Sequence, residues 1–66
     1  MPAPLPTTGQ KITDLSERLT RHEAMYERAL IRGNLEGMYR ELAIITEVAQ
    51  EISRCLAPLV HVVPQE

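Results

Sequence analysis

Residues 29–38 read Ala29-Leu30-Ile31-Arg32-Gly33-Asn34-Leu35-Glu36-Gly37-Met38, and the Gly33-Asn34 step at their centre decides the fold. Glycine suits the left-handed position just past a helix C-terminus, and asparagine suits the N-cap of a helix that follows. A helix therefore ends at Arg32 and another begins at Leu35.

Upstream, Thr7 offers a start, with Gln10 three residues on completing a capping-box spacing; Thr13 is a later alternative because Gly9 weakens the first turn. Downstream, Pro58 closes the second segment. The expected elements are helices over residues 8–32 and 35–57, of about 35 Å each. A turn this short folds them back as an antiparallel hairpin, an all-α chain. The hairpin, 8–57, lies between a flexible proline-rich arm, 1–7, carrying Pro2, Pro4 and Pro6, and a C-terminal tail, 58–66, rich in valine.

Both helices carry apolar stripes. In the second, Leu35, Met38, Leu42, Ile45, Ala49, Ile52 and Leu56 follow strict 3-4 spacing. The first answers with Ile12, Leu15, Leu19, His22, Tyr26 and Ala29 at the same spacing, Leu30 alongside. These two stripes are expected to zip the hairpin. The second helix has another stripe, Gly37, Ile44, Val48 and Cys55, about 100° round from the first. One neighbouring helix cannot cover both, so these four residues are the expected interface of a homo-oligomer, most simply a dimeric four-helix bundle. In size and plan that assembly is similar to Rop-type plasmid copy-number regulators, a resemblance of architecture without a shared motif.

Size points the same way. A 66-residue chain buries only about 60% of its unfolded surface and needs disulfides, a metal or self-association for support. Cys55 is the only cysteine, which excludes an internal disulfide and a cysteine-based zinc site. Hydrophobic residues make up 44% and charged residues 24%, a balance too apolar for a disordered chain. With a net charge of −2 the chain lacks bulk attraction for nucleic acids or anionic membranes. The first ten residues have neither the basic nor the apolar region of a signal peptide, and no stretch could span a bilayer. With its lone thiol, the chain reads as cytoplasmic.

The charges of the first helix are sorted. Arg18, Arg21, Arg28 and Arg32 share one flank, and the plain expectation is that they pair with Glu41, Glu47 or Glu51 of the second helix or of a neighbouring chain. The sharper one makes Arg28, Arg32 and Arg40, beside Tyr26 and Tyr39, a nucleotide site, with guanidinium forks on phosphate and tyrosine rings on a base. No phosphate loop, dinucleotide fingerprint or HExxH motif is present. His22 has Met25 and Tyr26 where a metal site would need a second ligand, so it reads as a hydrogen-bonded seam residue; His61 reads as solvated. Cys55, flanked along the helix by Glu51, Ile52 and Leu59, lacks a base and reads as structural. No residues are assigned to catalysis, to a metal or to a cofactor.

The expected function is a non-enzymatic homo-oligomeric hairpin that binds and regulates or inhibits a partner protein. The alternative is an oligomer that sequesters a small ligand, a nucleotide, between protomers, as in phage counter-defence. Nucleic-acid binding through the arginine stripe ranks third.

Overall fold

The computed structural model describes residues 7–60. Two antiparallel helices, α1 (Thr8–Arg32) and α2 (Leu35–Leu56), are followed by a 3-10 turn, Ala57–Leu59. The readings of Pro2, Pro4, Pro6 and His61, and most of the valine-rich tail, lie outside the described residues.

Each end of α1 is set by the local chemistry of its caps. Thr7 has extended backbone, and its Oγ1 accepts from Gln10 N–H at 3.1 Å. Thr13 lies inside the helix, its hydroxyl donating to the Gly9 carbonyl one turn back at 3.0 Å. At the C-terminus Gly33 adopts φ 68°, the left-handed conformation. Its N–H donates to Leu30 O at 3.1 Å and Asn34 N–H donates to Ala29 O at 2.8 Å, the paired bonds of a Schellman motif. Asn34 then starts α2, its side-chain oxygen accepting from Gly37 N–H at 3.0 Å. One residue thus closes the first helix and opens the second, which is why the turn needs only two residues.

The far end differs from expectation by one residue. The α-helix stops at Leu56, and Ala57 belongs to the 3-10 turn that contains Pro58. Pro58 has no N–H to offer the carbonyl of Arg54, so the ladder tightens before it rather than at it.

The larger correction concerns how α2 faces α1. Val48 is the most buried residue of the hairpin at 5% exposed, joined by Leu15 and Ala29. Gly37, Ile44 and Cys55 are half-buried, as are Met38, Glu41, Ile45 and Ile52. By contrast Leu35, Leu42, Ala49 and Leu56 are exposed. The seam of α2 is therefore Met38, Glu41, Ile45, Val48, Ile52 and Cys55, again at 3-4 spacing but running between the two apolar stripes. Gly37, Ile44, Val48 and Cys55, expected to be left over for a second copy, are drawn toward α1 instead. The outer half of the other stripe is what remains uncovered. A helix with an apolar arc this wide settles its neighbour at the middle of the arc, where both flanks gain some burial.

Close approach at the turn helps to fix that rotation. A Cβ on Gly37 would lie 3.3 Å from Ala29 Cβ and 2.7 Å from the Asn34 side-chain nitrogen, so the first layer beyond the turn admits only small residues.

Candidate functional site

Two helices side by side form a slab one helix thick, about 10–12 Å, with two broad sides. Their chemistry differs. On one side the groove is charged. Its wider part, a concavity of about 510 Å³, is lined by Leu15, Arg18 and His22 of α1 and by Ile44, Glu47, Val48, Glu51 and Arg54 of α2. Nearer the turn a second concavity of about 230 Å³ brings together Met25, Arg28, Ala29 and Arg32 with Asn34, Gly37, Arg40 and Glu41.

The opposite side is apolar. At 100° per residue, Ile12, Leu19, Tyr26 and Leu30 of α1 lie on that side, opposite Leu35, Leu42, Ala49 and Leu56 of α2, with Met38, Ile45 and Ile52 along the groove floor. Leu35 is 75% exposed, Leu30 52%, Leu42 45% and Leu56 40%. Toward the open end of the hairpin, Ala49, Ile52, Leu56 and Val60 line a shallow apolar hollow.

Between the two sides, one polar pair lies on the seam among the described residues. His22 Nδ1–H donates to Glu41 Oε1 at 2.6 Å, with the two side chains 20% and 13% exposed. His22 thus occupies the hydrogen-bonded seam position expected of it. Its partner, Glu41, takes part in no arginine pair. Among the described residues the other ion pairs are Arg40–Glu36 at 3.3 Å and Arg54–Glu51 at 2.9 Å, both within α2. Arg18, Arg21, Arg28 and Arg32 enter none. The expected pairing of these arginines with Glu41, Glu47 or Glu51 is not made within the hairpin.

Of the five residues expected to form a nucleotide site, Arg28, Arg32 and Arg40 line one concavity. Tyr26 and Tyr39 do not line it. Tyr26 is half-buried at the apolar edge of α1, and Tyr39 is 78% exposed on the outside of α2. The cationic half of that site is thus assembled without its aromatic half. Cys55 is a half-buried free thiol on the seam. Among the described residues no three His, Cys, Asp or Glu side chains cluster closely enough to hold a metal ion, and no helix is long and apolar enough to cross a membrane.

No known protein family, curated protein or solved structure matches the chain. What the fold defines is a class: an all-α antiparallel helical hairpin with one apolar and one charged side.

Proposed function

We propose that this chain is a non-enzymatic, self-associating helical hairpin that binds another protein and regulates or inhibits it, working as a dimeric four-helix bundle. The observation that carries the reading is the uncovered apolar side, with Leu30, Leu35, Leu42 and Leu56 all at least 40% exposed. Globular domains place two layers of secondary structure around a core, and a two-helix slab supplies only one. Burying a leucine is worth roughly 1.5–3 kcal/mol, so this side is the largest stabilisation the hairpin leaves unused.

A second copy is the occupant that best fits it. A two-fold axis lays the same side of one hairpin on that of another, apolar against apolar, and leaves both charged sides in water. The interface expected on this reading comprises Leu35, Leu42, Ala49 and Leu56, rather than Gly37, Ile44, Val48 and Cys55. Ile31 and Tyr39 are 77% and 78% exposed near the turn and lie off this side at 100° per residue. They stay available in the dimer as anchors for a partner protein, tyrosine being a frequent hot-spot residue.

The test compares wild-type protein with an Ile31→Ala, Tyr39→Ala double variant, both first shown to be dimers by sedimentation equilibrium. Affinity capture from the native cell lysate is then quantified for each. The reading expects a specific protein held by the wild type and lost by the variant. If every captured protein is retained equally by both, the partner-binding half of the proposal fails.

A further inference from the structure

The concavity beside the turn points to a second use of the molecule, independent of self-association. Arg28 and Arg32 of α1 and Arg40 of α2 line one hollow of about 230 Å³ against Asn34 and Gly37. Three arginines thus line the hollow beside a single carboxylate, that of Glu41, which already accepts from His22 at 2.6 Å. Arg28 and Arg32 enter no ion pair among the described residues, and Arg40 is held only by Glu36, a surface pair with side chains 67% and 85% exposed. Pairs that exposed contribute little and exchange readily.

We infer that this hollow binds the diphosphate group of a small molecule. The ligand class follows from shape and charge. Guanidinium forks match phosphate oxygens bidentately, and three arginines lining one hollow suit a group with several such oxygens better than a single carboxylate. The hollow is smaller than the ~300 Å³ at which pockets for whole drug-sized ligands begin, so it takes the charged group and leaves the remainder of the molecule in solvent. Because neither tyrosine lines it, the site reads phosphate and not base. The Schellman turn at Gly33-Asn34 holds the ends of both helices, so Arg32 and Arg40 are carried on fixed backbone rather than on a loop.

Titration of the dimer or monomer, as it exists, with inorganic pyrophosphate at neutral pH tests the assignment. Isothermal calorimetry gives the affinity, and amide NMR shifts of the unmodified protein locate the site. The expected shifts centre on residues 28–40, and Arg28→Ala with Arg32→Ala weakens binding by tenfold or more, equivalent to about 1.4 kcal/mol. Arg21→Ala, on the same flank but outside the hollow, leaves it unchanged. Adenosine diphosphate binds within about threefold of pyrophosphate, and sulfate at equal ionic strength binds more weakly. Absence of binding, shifts centred elsewhere, or an unaltered affinity in the double variant overturns the site. Equal binding of sulfate overturns the diphosphate assignment, and a nucleotide preference above about tenfold overturns the claim that the base is not read.

Discussion

His22 of α1 and Glu41 of α2 meet across the seam at 2.6 Å, the one side-chain hydrogen bond between the helices among the described residues, in an otherwise largely apolar joint. An antiparallel hairpin with smooth apolar stripes can slide or rotate at little cost, whereas a hydrogen bond between two half-buried groups forms in one register. Removing one partner strands the other. We expect His22→Ala to lower stability by about 1–3 kcal/mol at fixed protein concentration. Replacing both residues by leucine restores most of that loss, since an apolar pair fills the seam without a desolvation cost. Urea unfolding of His22→Leu, Glu41→Leu and the double leucine variant measures the coupling.

The glycines give a sharper contrast. Gly9 has only Thr7 Oγ1 near, at 3.9 Å from an added Cβ, so Gly9→Ala gains up to about 1 kcal/mol from helix propensity. The same change at Gly37 has the opposite sign. Its Cβ displaces the Asn34 side chain that caps α2 and presses on Ala29. Loss of a cap costs about 0.5–2 kcal/mol, and overpacking adds to it. Thermal unfolding that shows Gly37→Ala stabilised would refute the close approach at the turn.

In the seam itself, Leu15→Ala is expected to cost about 2–5 kcal/mol, and Val48→Ala less because fewer methyl groups are lost. Both residues are at least 92% buried within a single hairpin, so they affect folding whether or not a second copy is present. Ile31→Ala, at a residue 77% exposed, changes stability by no more than about 0.5 kcal/mol. Chemical denaturation ranks the three.

Leu42→Glu probes the apolar side separately from the seam. Leu42 is 45% exposed in the hairpin, so the helices tolerate the charge. In a two-fold dimer the substitution occurs twice, and losing about 1.5–3 kcal/mol per copy weakens association by a hundredfold or more. Arg18→Ala, on the charged side, leaves association unchanged. Sedimentation velocity over a range of concentrations separates the two variants.

The elements were legible because their signals are local. Thr7, Gly33 and Asn34 each act within one helical turn, and the structure places all three in the capping roles their side chains suggest. The rotation of α2 was not legible from periodicity. Two apolar stripes 100° apart describe an arc, and nothing in the spacing says where on the arc α1 settles. The deciding signals are cross-helix pairs: small Gly37 opposite small Ala29, and Glu41 opposite His22. Both were present in the sequence, but each carries meaning only once the antiparallel register is fixed. The separation of the arginines from the tyrosines does not depend on that rotation: at about 100° per residue, Tyr26 and Arg28 lie on opposite faces of α1, and Tyr39 lies a quarter-turn or more from Arg40 on α2.

The central claim is that one apolar side of this hairpin is covered by a second copy. Sedimentation equilibrium of the unmodified chain at micromolar concentration tests it most directly. The account predicts twice the 7.5 kDa chain mass, falling toward the single-chain value in Leu42→Glu. A stable species of one chain mass, with full helical content and cooperative unfolding, would contradict it.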